Sequence, residues 1–490
     1  MSLTSLTILN DDELKLLEHR MSNLLGDDVL MRRAGEAAAA WIRGEINEGE
    51  RVTVLAGPGN NGGDAVCAAL ALRREGVAVE LVMPGPAKSD LCRRMVEEWR
   101  AAGGTISEDP YMTEPAAVVV DGLFGTGQEK PVSGAYLDAV LWFNERRAKK
   151  LSLDVPTGLN PATGNWIGTI PGCRADATMA FLAVKAGLYL NEGPDAAGEV
   201  ILRELDVSVP LSSLSVTGLD EFRYVRQERA RFSHKGTFGK LLVTGGDTGR
   251  LGAAFLASRA ALRLGAGSVT LEAFAENVPA VDPISPELMF ATGAHPVDGD
   301  FTATVIGPGL GQTERARARV EAALKSEKPL VIDADALNLI AANMPLQDLL
   351  LARRAATVIT PHEGEAARLL RRPVEGVTVD RVAAARELAV QSGAIVVLKG
   401  TGTVTALRSG RAWVNPTGNA MLATAGSGDV LAGIIGAFLA QKFDAVESAL
   451  AAVWIHGQSV DGCLANVTAS DILEMSAETL EVLRARSAAE

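Results

Sequence analysis

The residues best suited to do chemistry sit in glycine-rich runs that lead into apolar stretches. In NPTGNAMLATAGSGDVLAGIIGAFLAQ (415–441), Gly426, Ser427, Gly428 and Asp429 stand immediately before a long apolar helix. Glycines there leave backbone amides open to a phosphate, and a helix N-terminus favours the negative charge that develops during phosphoryl transfer. Asp429, at the rim of such an anion hole, can accept the proton of an attacking hydroxyl. The same helix end should lower its pKa and make it a modest base. A carboxylate in this place is also suited to capping the helix. GSGD ahead of a wholly apolar helix favours catalysis.

A second constellation lies in the first half. After RVTVLAG comes GPGNNGGDAVCAALAL, in which Gly57, Gly59, Gly62 and Gly63 surround Asn60 and Asn61 before a helix expected to begin near Asp64, placed to cap it. A plain turn needs a single residue tolerant of positive φ, so the paired asparagines point to a ligand. DGLFGTGQ (121–128) and DVPTGLN (154–160) each put an aspartate where a strand finishes, followed by small residues that admit a ligand to the backbone. One such aspartate is often a turn cap. Two beside a glycine-asparagine loop argue for a site.

Parallel strands wrapped by helices would position these groups. Apolar runs recur at 51–57, 77–83, 116–122, 149–155 and 177–183, then at 240–246, 268–274, 302–309, 329–335, 356–362 and 394–400, separated by alanine-rich helical stretches. This is the pattern of buried parallel strands with crossover helices, whose ligands gather at the strands' carboxyl ends. In VSVPLSSLSVTGLDEFRYV helical periodicity stops and Pro, Ser and Gly accumulate, which marks a boundary within about 210–225. The predicted domains are 1–215 and 222–490. They share no motif, which argues against duplication.

The totals agree. The 490 residues exceed one ordinary core, and 47% hydrophobic with 22% charged residues is a globular balance. A net charge of -13 excludes a general nucleic-acid binder and leaves anions to local amide cradles. Cys67, Cys92, Cys173 and Cys463 form no metal-ligand pattern and are expected to be buried free thiols. The start has no basic region leading into an apolar core, and no run is long enough to span a membrane, so no membrane association and retention in the cytoplasm are expected.

GPGNNGGD, DGLFGTG and DVPTGLN together resemble the NAD(P)H-hydrate epimerase family over about residues 10–205. The resemblance implies a Rossmann-like three-layer sandwich. It implies that Asn60, Asn61, Gly62, Gly63 and Asp64 border the substrate and that Gly125, Thr126, Gly127, Gln128, Glu129, Lys130 and Pro131 form a second binding loop. Asn61, Asp121 and Thr157 would hold a potassium ion, and Asp154 would do acid/base work at C6 of the hydrated nicotinamide ring, through a planar cation. Ala65 stands where the family often has glycine, and a helix tolerates alanine better.

GSGD itself resembles the ribokinase-like superfamily, and alone it does not separate a dehydratase from a hydroxymethylpyrimidine or sugar kinase. HKGTFGKLLVTGGDTGRLGAAFLASRAALRLGAGSVT (234–270), GPGLG (307–311), DADALN (333–338), TPHEGE (360–365) and KGTGTVT (399–405) resemble the ADP-dependent NAD(P)H-hydrate dehydratases over about residues 225–485. That implies a ribokinase-like α/β domain in which Ala253, Gly309, His362 and Asp429 meet the hydrate. Lys399, Gly400, Thr401, Gly402, Thr403 and Gly428 would hold the adenine nucleotide. ADP would come with magnesium, with Glu363 and Glu365 as organisers of metal or water. Outside that context His362 reads as readily as a structural histidine. The joint implication is repair of hydrated NADH and NADPH (NADHX and NADPHX) by a homo-oligomer. The remaining alternative is a nucleotide-sensing module with decayed sites, against which the intact glycines and aspartates speak.

Overall fold

The computed structural model describes residues 4–291 and 299–487. The chain divides into two compact units, Leu6–Ser212 and Ser213–Glu490 together with Met1–Ser5.

In the first unit the elements are β1 (Leu6–Thr7), α1 (Asp11–Leu25), α2 (Val29–Glu45), β2 (Arg51–Ala56), α3 (Asn60–Arg74), β3 (Ala78–Val82), α4 (Asp90–Ala101), β4 (Ile106–Ser107), β5 (Val118–Gly122), α5 (Ala135–Glu145), β6 (Lys149–Leu153), β7 (Ala177–Phe181), α6 (Gly193–Ala197) and β8 (Glu199–Arg203). The sheet runs β4-β3-β2-β5-β6-β7-β8, every pair parallel. Period-two alternation feeds two cores. Val52, Val54 and Ala56 of β2 pack with Ala38, Ile42, Val66, Met95 and Trp99, while Leu55 packs on the other face with Val140 and Phe143. Helices on both faces make three layers. The winding reverses between β2 and β5, so a crevice opens at their carboxyl ends.

The second unit holds β9 (Leu214–Val216), β10 (Lys240–Gly245), α7 (Leu251–Arg263), β11 (Ser268–Ala273), β12 (Met289–Phe290), β13 (Ala303–Ile306), α8 (Glu314–Lys325), β14 (Leu330–Ile332), α9 (Ala334–Ala341), α10 (Met344–Ala352), β15 (Thr357–Ile359), α11 (Glu363–Leu370), α12 (Glu375–Thr378), α13 (Arg381–Ser392), β16 (Ile395–Leu398), β17 (Val404–Ala406), β18 (Ala412–Val414), α14 (Ser427–Ala440), α15 (Ala445–Gln458) and α16 (Ala469–Ser487). Its sheet runs β9-β18-β17-β16-β15-β14-β13-β10-β11-β12, parallel from β16 to β12. The reversal here falls between β10 and β13. Helix α14 is buried nearly throughout and lies close against α7, where a Cβ on Gly433 would stand 2.2 Å from the Ala257 carbonyl.

Each predicted strand forms, trimmed at its ends. The short edge strands β4, β8, β9 and β12 were not anticipated, nor was the antiparallel extension β16-β17-β18. Two- and three-residue strands carry too few side chains for a periodicity signal, and β8 is only partly buried. All four cysteines are free, but Cys463 is partly exposed, which corrects the expectation that each is buried.

Candidate active sites

In the first unit, the loops after β2, β5 and β6 converge at the reversal point. The Gly57 amide donates to the Gly122 carbonyl at 3.0 Å and ties the first two loops together. Helix α3 starts at Asn60 with Gly59 as its cap residue, so Asp64 does not cap it, contrary to the sequence expectation. The glycines continue the helix because their small size lets α3 pack tightly, with Gly62 and Gly63 both buried. Asp64 lies inside α3, and burial, followed by the charge of Asp154, raises its carboxyl well above the usual range.

Asp121 is fully buried. Its Oδ1 accepts from the Thr157 hydroxyl at 2.7 Å and the Leu123 amide at 3.2 Å, and its Oδ2 accepts from the Ser152 hydroxyl and the Thr157 amide, both at 2.9 Å. Burial raises its pKa while these bonds oppose the rise. The Gly125–Pro131 loop is anchored from both ends. The Phe124 amide donates to Thr157 Oγ1 at 3.0 Å, and the Gly158 amide donates to Gln128 Oε1 at 2.9 Å. Thr126, Gly127, Glu129 and Lys130 are left at or near the surface.

Asn61, Gly125 and Asp154 meet. A Cβ on Gly125 would stand 3.3 Å from Asp154 Oδ2 and 3.4 Å from Asn61 Cβ, so any side chain there would fill the space between them. Both side-chain polar atoms of Asn61 are buried without a partner, which a ligand or ion can remedy. Asp154 adopts φ 64°, a strained conformation for a residue other than glycine. Its Oδ1 pairs with Lys185, a lysine 3% exposed that sequence reasoning missed. Lys185 sits in the plain context FLAVKAGLYL, and nothing in it announces a partner 31 positions away. A cavity of about 570 Å³ lined by Arg33, Glu36, Arg203 and Asp206 contains none of these groups.

In the second unit, the loops after β10 and β13 bring Ala253 and Gly309 together. A Cβ on Gly309, whose φ is 58°, would stand 3.2 Å from Ala253 Cβ. Asp335, at the start of α9, accepts from the Gly311 amide at 2.9 Å and from Arg250 at 3.2 Å. Nearby, Gly426 at φ 91° turns the chain into α14, and its Cα points between Leu256 of α7 and Asp429. The first-turn amides of α14 therefore open beside Leu256 of α7, without acceptors inside the helix.

Asp429 departs from expectation. Burial, then the charges of Asp333 and Asp335, opposed by Lys399, raises its pKa to about 7 rather than lowering it. Desolvation outweighs the helix end here, and Asp429 becomes a base poised near neutrality. Lys399 donates to Asp333 Oδ1 at 2.8 Å and lies 3.2 Å from where a Gly428 Cβ would be. Asp333, 1% exposed and also bonded to Thr360 at 2.8 Å, was quoted within DADALN but not recognised as a site residue. The loop Lys399–Thr403 is shaped by the buried Arg381, which donates to the Thr401 carbonyl at 2.8 Å and the Leu398 carbonyl at 3.2 Å. Arg381 was also missed.

His362 has a structural task. It caps α11, accepting from the Gly364 amide at 3.0 Å through Nδ1, and Glu365 completes the capping box by accepting from the His362 amide at 2.9 Å. Its ring is 55% exposed and remains open to a ligand. Burial lifts Glu365 to about 7, and Glu363 lies 3.6 Å from Arg381. Under the α14 terminus, His456 Nε2 stands 3.1 Å from the Ser427 carbonyl, and burial lowers its pKa to about 4. Among the described residues no helix is long and apolar enough to cross a membrane.

Residues 241–481 match the family described as NAD(P)H-hydrate dehydratase, and residues 27–187 match the YjeF-related protein N-terminus. The bifunctional NAD(P)H-hydrate repair enzyme Nnr of Coxiella burnetii is 36% identical over 446 residues, covering 88% of this chain and 89% of that one. The Escherichia coli enzyme of the same name is 34% identical, covering 93% and 89%. Among solved structures, the ADP/ATP-dependent NAD(P)H-hydrate dehydratase of Bacillus subtilis, co-crystallised with ATP and Mg2+, is 33% identical with a TM-score of 0.47, covering 54% of this chain and 96% of that one. With both halves matched and nearly the whole length aligned, the two α/β units are the Rossmann-like and ribokinase-like domains expected, and the chain belongs to the bifunctional NAD(P)H-hydrate repair enzymes, with an N-terminal epimerase and a C-terminal dehydratase.

Proposed function

We propose that the dehydratase unit uses ADP to phosphorylate the C6 hydroxyl of the S hydrate of NADH or NADPH. Asp429 takes the hydroxyl proton as the β-phosphoryl group transfers, leaving AMP. The ring nitrogen then expels phosphate from C6, and loss of a proton from C5 restores the nicotinamide double bond. Phosphorylation serves this end because phosphate leaves readily and hydroxide does not. The observation that carries the reading is Asp429, held near neutrality at the open end of α14 beside the Lys399–Asp333 pair.

In this reading Ala253, Gly309, His362 and Asp429 contact the hydrate, while Lys399, Gly400, Thr401, Gly402, Thr403 and Gly428 contact ADP. Among the described residues no group of three or more His, Cys, Asp or Glu side chains could hold a metal. Magnesium therefore fits as an ion carried by the nucleotide phosphates and water rather than by a protein cage, and Glu363 and Glu365 are already engaged.

The epimerase unit interconverts the R and S hydrates at C6, with Asp154 as acid/base. Asn60, Asn61, Gly62, Gly63 and Asp64, with Gly125–Pro131, border the substrate. The unpartnered buried amide of Asn61 and the buried carboxylate of Asp121, which has no cation beside it among the described residues, make an oxygen-rich set with Thr157 that suits potassium. An ion there would fix the strand-end loops and favour an anionic substrate. The protein acts in the cytoplasm as a homo-oligomer.

The test is recovery of reduced-nicotinamide absorbance when the full chain meets a mixture of both hydrates with ADP and magnesium. Complete recovery is expected. Asp154→Asn should convert the S fraction quickly and the R fraction only at its spontaneous epimerisation rate. Phosphorylation of a vitamin-precursor alcohol without hydrate turnover would overturn the reading in favour of a kinase.

A further inference from the structure

We infer that Lys185 is a positioning residue of the epimerase site, holding the Asp154 carboxyl group by one oxygen so that the other is aimed at the reacting carbon. This rests on the acid/base role proposed for Asp154. Strands β6 and β7 are neighbours, and each ends in a left-handed residue that is not glycine, Asp154 at φ 64° and Leu182 at φ 63°. The Asp154 amide donates to the Met179 carbonyl at 2.7 Å, which fixes the turn. After Leu182 the chain doubles back, so that Lys185 Nζ reaches the Phe181 carbonyl at 2.9 Å and Asp154 Oδ1 together.

The geometry separates the two carboxylate oxygens by task. Lys185 lies on the buried side at 3% exposed against 15% for Asp154. Oδ2 takes no hydrogen bond among the described residues and faces the space beside Gly125 and Asn61. A lysine is almost never fully buried unless a partner compensates its charge, and here the compensated group is the proposed acid/base. Asp64 on α3 and Glu18 on α1 also face this pair, each pushed up first by burial and then by the charge of Asp154. Two further carboxyls crowd Asp154, and the ammonium on Oδ1 fixes which way its carboxyl group faces. Oδ2 gives a proton to the C6 hydroxyl as the C6–O bond breaks and water leaves, stabilises the resulting planar cation as a carboxylate, and takes a proton back from the water that adds to the other face.

The experiment measures R-hydrate epimerisation by the full chain, with S-hydrate dehydration as the internal control for folding. Lys185→Gln, which keeps a donor without the charge, and Lys185→Ala should each lose at least about 100-fold in kcat with little change in KM, the scale of positioned acid/base help. Ethylammonium added to Lys185→Ala should restore rate in proportion to its concentration, which a packing role would not allow. Wild-type kcat in Lys185→Gln, or lost rate without amine rescue, overturns the inference. Asp154→Asn distinguishes its parent: unchanged R-hydrate use there would sink the role of Asp154 itself.

Discussion

Replacing Asp429 by asparagine should destroy dehydration and at the same time stabilise the second unit, with a gain that grows from about pH 4 and is complete above about pH 7. The carboxyl rises from 3.8 to about 7, chiefly through burial. In the unfolded chain it ionises near its ordinary value, so between about pH 4 and 7 the folded state binds the extra proton and stability falls as pH rises. Above pH 7 both states are ionised and the folded state bears the whole cost. Three pH units at about 1.36 kcal/mol each make that ~4 kcal/mol. Asparagine has the same shape without the charge, so the variant should melt several degrees higher than the parent at pH 8 and by only roughly a third of that margin at pH 5. Its kcat for S-hydrate dehydration should fall by about 100- to 10,000-fold, whereas the parent's rate should climb with pH through about 7. The measurements are hydrate turnover and thermal melting at the two pH values. Retained turnover, or a melting difference that does not depend on pH, would show Asp429 to be an ordinary helix-cap carboxylate.

Asp333→Asn should raise KM for ADP about tenfold by releasing Lys399 from its 2.8 Å bond, and should move the acidic limb of the rate profile to lower pH because Asp333 no longer opposes ionisation of Asp429. His456, lowered to about 4 by burial, stays neutral in the fold while the unfolded form takes a proton near 6.5. It therefore adds stability above pH 6.5 that is lost as pH falls toward 4, about 3 kcal/mol in all, and His456→Gln should flatten melting temperature across that window. Asp121→Ala strands four buried donors from Leu123, Ser152 and Thr157. It should destabilise the first unit by roughly 3 kcal/mol in a denaturant titration and abolish epimerisation while S-hydrate dehydration continues.

The sequence by itself determined the class of fold and the positions of the glycine runs from which both candidate sites are read. Strand periodicity is local, and a glycine run before an apolar helix constrains the backbone wherever it folds, so Gly426–Asp429 and Gly57–Asp64 were recognisable without neighbours. It also marked Asp121, Asp154 and Lys399 as strand-end residues. Tertiary structure alone decided what those groups do to one another. Lys185 reaches Asp154 across 31 positions, and Asp333 reaches Lys399 across 66. Such pairs leave no trace in spacing because the chain between them follows the winding of the sheet. The base strength of Asp429 was misjudged for the same reason. A helix end is visible in sequence, but the desolvation that overrides it depends on α7, Asp333 and Lys399 closing around one carboxyl, which only the folded chain brings about.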